Sequence, residues 1–139
     1  IDSANGYNTQ IAPMKLSFSK AKNATDYYVV VKHRNSIETW SSAGVKFVAG
    51  KMSYDFTDSL GKSYGNNLTL KGSKYCIFSG DVNQDGIIDG TDLSNIENSV
   101  LISESGYINT DVNGDNIADS GDLSIAENNV SKAVIVVSP

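Results

Sequence analysis

Two stretches hold most of the side chains with chemical potential. Residues 81–92 read DVNQDGIIDGTD and residues 111–122 read DVNGDNIADSGD; together they carry eight of the sixteen acidic residues of a 139-residue chain. Side-chain oxygens fall at positions 1, 3, 5, 9 and 12 of each stretch. These are Asp81, Asn83, Asp85, Asp89 and Asp92 in the first, and Asp111, Asn113, Asp115, Asp119 and Asp122 in the second. Position 7 is isoleucine in both, Ile87 and Ile117, and can offer its backbone carbonyl. Four carboxylates in so short a loop repel one another, and the pattern makes sense only around a cation. Calcium is the chemical match. It is a hard ion that takes six to eight oxygens at about 2.3–2.6 Å, which alternate residues of a tight loop can supply. Magnesium matches less well, because it prefers compact octahedral geometry and keeps its waters.

The spacing is that of the EF-hand loop, D-x-[DN]-x-[DN]-G-x5-E, with aspartate in place of the final glutamate. Position 6, where the chain must turn sharply, is Gly86 in the first loop and Asn116 in the second. Asparagine tolerates a left-handed backbone better than most residues with a side chain. Two bound calcium ions would bring the formal net charge from -5 to about -1. Without them the carboxylates repel at close range, so folding of this part should be coupled to metal.

The elements that position these loops follow from periodicity. Leu93, Ile96 and Val100 recur at i, i+3 and i+7 after the first loop, and Leu123, Ala126 and Val130 do so after the second. Each set makes one apolar face of a short helix. Ser94–Glu97 and Ser124–Glu127 fit the S-x-x-E capping pattern. Between residues 81–100 and 111–130, about twelve of twenty positions are identical, which implies two similar units packed about a pseudo-twofold axis. The run AVIVV at 133–137 is expected to leave the second helix as a strand and pack back on the first half.

Residues 1–79 read differently. Met14, Leu16 and Phe18 alternate with polar residues, and YYVVV at 27–31 reads as a central strand covered on both faces. Further strands are expected at 45–48, 52–56, 68–70 and 74–78, with Gly, Asn, Ser and Asp clustered between them. The expectation is an α+β chain: an N-terminal antiparallel β-sandwich at 1–79, then a duplicated pair of calcium-loop and helix repeats at 80–139. The acidic balance, with a pI near 4.6, excludes nucleic acid as a natural partner. No apolar run reaches the roughly 18 residues of a membrane helix, so no membrane insertion is expected. The chain has no signal peptide and no initiating Met, and reads as mature or excised. The one cysteine, Cys76, is expected as a small buried hydrophobe.

The duplicated DxNxDGxxDxxDL segment, with a helix after each loop and no full helix before it, resembles a type I dockerin over roughly residues 80–132. The resemblance implies a small secreted bacterial module that binds two calcium ions and docks onto a cohesin-like protein at the cell surface. It implies that the twelve residues named above are the metal ligands. It also implies that partner recognition falls on Gly90, Thr91, Glu97 and Asn98, and on Ser120, Gly121, Glu127 and Asn128. Many cohesin-binding members carry a Ser-Thr pair and a basic pair there; this chain has small residues and Glu-Asn. YYVVVKHRNSIETWS at 27–41 is similar to β-modules that precede dockerin-like tails in large secreted bacterial proteins.

The sequence also carries features of two other functions. Trp40 and the seven tyrosines suit a carbohydrate-binding module with a polysaccharide partner, although Trp40 also suits core packing. A terminal segment, 1–11 or 133–139, could add as a strand to a neighbouring copy and build a surface fibre or filament. His33 is the only histidine and no GxSxG nucleophile elbow accompanies it, so it reads as an ordinary hydrogen-bonding strand residue and the chain as no enzyme. The expectation is a non-catalytic, extracellular, calcium-binding protein for protein–protein attachment.

Overall fold

The apolar face after each acidic loop forms a helix: α1, Gly90–Leu101, and α2, Ser120–Val130, in the computed structural model, which describes residues 16–139. Both helices start earlier than the S-x-x-E pattern suggests. Asp89 and Asp119 are the N-caps. Each side chain accepts from the backbone two residues on, and Asp92 and Asp122 reach back to the cap's own N–H in a reciprocal box. Ser94 and Ser124 lie inside the helices, where their hydroxyls donate to the carbonyls of Gly90 and Ser120. Aspartates of the loops therefore take the capping role assigned to the serines.

Equivalent residues of the two repeats meet in one core. Ile96 and Ala126 are fully buried against Val82 and Val112, with Leu93, Val100, Leu123 and Ile125 packed around them. The chain then exchanges partners. The segment after α1 pairs with the second loop, through Gly106 N–H to Asn116 O (2.9 Å) and Ala118 N–H to Glu104 O (2.9 Å). The segment after α2 pairs with the first loop, through Val136 N–H to Gly86 O (2.8 Å) and Ile88 N–H to Val134 O (3.0 Å). Each acidic loop is thus closed by the tail of the other repeat.

The N-terminal part is antiparallel, but its described strands form three separate two-stranded ribbons and no sandwich. β1, Asp26–Tyr27, pairs with β4, Val45–Lys46; β2, Val30–His33, with β3, Ser36–Trp40; and β5, Thr69–Lys71, with β6, Lys74–Cys76. The expected central strand at 27–31 breaks at Tyr28 and Val29. There the Ser41 hydroxyl accepts from Val29 N–H, the Ser41 N–H donates to Val29 O, and Tyr28 is 44 % exposed. Residues 52–56 form no strand, nor do 16–18; Met14 and the segment 1–11 lie outside the described residues. Cys76 is exposed rather than buried, because in the short β6 it is Tyr75 that turns inward. The ribbon strands are two to five residues long, and Ile37, the buried apolar residue of β3, goes to the junction with the acidic half.

At that junction Ile37 of β3, Ile88 of the first loop and Val134 after α2 form a second buried cluster, with Phe78 and Val130 against it. Ile37 N–H donates to Phe78 O (2.9 Å) and Gly80 N–H to Asn35 O (2.7 Å). The AVIVV segment does return to the first half. It makes isolated pairings, Ile87 with Ile135 and Thr39 with Val137, rather than a regular strand. Among the described residues no helix is long and apolar enough to cross a membrane.

Candidate metal centre

Each loop is wound around its first aspartate. In the first, Asp81 is 2 % exposed; its Oδ2 accepts from Gly86 N–H (3.3 Å), while its Oδ1 is buried with no hydrogen-bond partner. Burial raises the Asp81 carboxyl above the ordinary aspartate range; the nearby charges of Asp92 and Asp85 add to this, and the Gly86 N–H opposes it. Asp92 is fully buried. Its Oδ1 accepts from Val82 and Asn83 N–H (2.8 and 3.2 Å), and its Oδ2 from Asp89 N–H (3.0 Å). Asn83 Nδ2 donates to Asp85 Oδ2 (2.8 Å), and Asp85 Oδ1 accepts from Ile87 N–H (3.0 Å).

The second loop repeats this winding, with Asp122 taking Val112, Asn113 and Asp119 N–H, and Asn113 bound to Asp115. Here Asp111, Asp115 and Asp122 each bring a carboxylate oxygen within 4.8 Å of the others. Among the described residues no other three acidic, histidine or cysteine side chains converge as closely. Asp111 is better satisfied than Asp81: Oδ1 accepts from Gly114 and Asp115 N–H (2.7 and 3.0 Å), and Oδ2 from Asn116 N–H (3.2 Å). The turn residues at position 6 have the left-handed backbone their types allow, φ +90° at Gly86 and +72° at Asn116.

Asp89 and Asp119, expected as ligands, spend one carboxylate oxygen on capping, to Thr91 N–H (2.7 Å) and Gly121 N–H (2.6 Å). The pairings at Ile87 and Ile117 run through the neighbouring residues' N–H and C=O groups, so neither isoleucine carbonyl is used in them. The positions expected to face a partner lie on the helices. Gly90, Thr91, Glu97, Asn98, Ser120, Glu127 and Asn128 are exposed, and Gly121 is half-buried. His33 ends β2 with Nδ1 2.9 Å from Asn35 Oδ1. Trp40 is half-buried, with Nε1 donating to Glu38 (2.6 Å) and its ring edge-on to Tyr28.

Residues that the spacing argument did not flag complete the surroundings. The two-residue turn between β2 and β3 places Arg34 and Asn35 at the second loop. Arg34 Nε donates to Ile108 O (3.0 Å), its Nη2 lies 3.4 Å from Asp111 O and 3.5 Å from Asp111 Oδ2, and its guanidinium stacks on Tyr107 (4.1 Å). Asn35 Nδ2 donates to Asp111 O (2.6 Å). Gln84 serves the first loop similarly, donating to Asp81 O (2.6 Å) and lying 3.4 Å from Ser36 O. The Arg34 and Asn35 contacts join residues more than seventy apart, a separation at which periodicity carries no information; an arginine in the KHRN hairpin turn was the one visible sign.

The donor set suits a hard divalent cation. A buried carboxylate oxygen without a donor in one loop, and three converging carboxylates in the other, are arrangements that a cation stabilises and apolar packing does not. Comparison with known proteins agrees: residues 79–131 match the family of the dockerin type I domain. No curated protein and no solved structure matches the chain.

Proposed function

Starting from the type I dockerin match over residues 79–131, we propose that this chain is a non-catalytic, secreted module that attaches its parent to a cohesin-like protein at the cell surface, with two calcium ions holding the attachment surface in shape. The observation that carries this reading is the pair of wound aspartate loops inside the matched stretch. Asp81, Asn83, Asp85, Asp89 and Asp92 with the Ile87 carbonyl would hold one ion, and Asp111, Asn113, Asp115, Asp119 and Asp122 with the Ile117 carbonyl the other. The ion supplies positive charge at the centre of each loop. The chain's own residues do the rest: Asp92 and Asp122 tie the start of each loop to its helix, and Asp89 and Asp119 cap that helix. The exposed positions Gly90, Thr91, Glu97 and Asn98, with their counterparts Ser120, Gly121, Glu127 and Asn128, are then presented on rigid supports. The β ribbons buttress the loops through Arg34, Asn35 and Ile37.

Assembly by strand addition from the C-terminal end is less well supported, because Val134, Ile135 and Val137 are engaged within their own chain. Calorimetric titration of chelator-treated protein should give two calcium ions per chain, and a melting temperature that rises with calcium. A pull-down from an envelope fraction of the source cells should recover a cohesin-like protein with calcium and not with EDTA. Absence of calcium binding would end the proposal; recovery of only the same chain would replace attachment by self-assembly.

A further inference from the structure

The two loops carry the same oxygen-bearing residues at the same positions and have different neighbours. Position 1 of the second loop, Asp111, faces a guanidinium held in place by the Ile108 carbonyl and the Tyr107 ring; the Arg34 side chain is 18 % exposed and that of Asp111 is 2 % exposed. Position 1 of the first loop, Asp81, has a neutral amide, that of Gln84, on its backbone carbonyl (2.6 Å), as Asn35 is on that of Asp111, and no described cation is paired with its carboxylate. Lys32 lines the same groove as Asp81 and Asp85, but its ammonium is bound to Glu38.

We propose that Arg34 is a fixed counter-charge of the second loop, competing with the bound cation for Asp111. The second loop then takes its calcium more weakly than the first, and keeps its shape better without it. This rests on the calcium reading above. A cation already beside Asp111 offsets part of the carboxylate repulsion in the ion-free loop and repels an arriving ion. Linkage makes the effect reciprocal: an ion that Arg34 weakens must in turn weaken the hold of Arg34 on Asp111, and with it the seating of the β2–β3 turn on the loop. In the first loop no described cation is paired with Asp81, and its Oδ1 has no donor to give up. The two sites therefore fill in order, and the later one reports to the β ribbons.

Calcium titration of the full chain is expected to resolve a tight and a weak site, with Asp85→Asn weakening the tight one and Asp115→Asn the weak one. Arg34→Gln should tighten the weak site roughly tenfold and leave the tight site unchanged, while lowering the melting temperature of the calcium-free protein. Arg34→Lys, which keeps the charge, should stay near the wild type at the weak site. Should Arg34→Gln fail to fold, the side-chain Nε–H resonance of Arg34 in the wild-type chain gives the same answer by shifting in step with filling of the second loop. A weak site unchanged or weakened by Arg34→Gln would overturn the proposal, as would an Arg34 resonance that follows the first loop or does not move. Absence of calcium binding altogether would instead refute the calcium reading on which it rests.

Discussion

Asp81 and Asp111 hold the same place in the repeat and keep different company, and the burial of Asp81 has a pH signature. The carboxyl of Asp81 is raised, chiefly by burial. In calcium-free protein the folded state therefore holds this proton at pH values where the unfolded chain has released it. The group's contribution to stability is greatest below the unfolded aspartate value and falls as pH rises through the raised folded one. Urea denaturation of chelator-treated protein across the acid range should show that fall, and Asp81→Asn should flatten it. With calcium present the order reverses: the ion must displace the proton, so affinity at the first loop rises with pH over the same window. Removing one charge at position 5 has a local cost. Asp115→Asn should weaken calcium at the second loop about tenfold or more, about 1.4 kcal/mol, with the first loop unaffected in the same titration. The convergence of Asp111, Asp115 and Asp122 was legible in the sequence because the loop spacing encodes it. Arg34 was not, because its partner Asp111 is brought to it by the fold rather than by the chain.

At the scale of elements, the helices were legible and the strands only in part: those expected at 45–48, 68–70 and 74–78 appear as the short β4, β5 and β6, without a sandwich. The faces of α1 and α2 are buried against each other's repeat, so Leu93, Ile96 and Val100 had to recur at helical spacing. Apart from β3 the ribbons hold no buried residue, and their order depends on single hydrogen bonds such as those of Ser41 to Val29, which no periodicity reports. The helix starts were misread for a similar reason: Asp89 and Asp119 serve as caps as well as loop residues, and the motif assigned them one task. Gly86 tests the loop element directly. Its φ is +90°, and a methyl there would lie 3.1 Å from Val136 Cγ1. Gly86→Ala should cost about 1–2 kcal/mol, measured by urea denaturation in calcium. Asn116→Gly, at the matching position, should change stability by only a few tenths of a kcal/mol, about 0.5 at most.

For the whole molecule, the residues after α2 matter more than their irregular shape suggests. Val134 is buried with Ile37 and Ile88, and Val136 closes the first loop at Gly86. A chain ending after Ala133 should lose calcium affinity at the first loop by about tenfold or more, with a smaller change at the second, as read by the same two-site titration. Excess calcium should restore part of its melting temperature.

The exchange of closing segments means that the unit written in the sequence differs from the unit that folds. One loop and the helix behind it carry a closing edge that fits the other copy. A peptide holding a single copy therefore has nothing of its own to complete its cage, and can do so only by swapping edges with a twin. Such a peptide should gain helix with calcium only as its concentration rises, and as a homodimer; circular dichroism of a dilution series showing concentration-independent folding would disprove this.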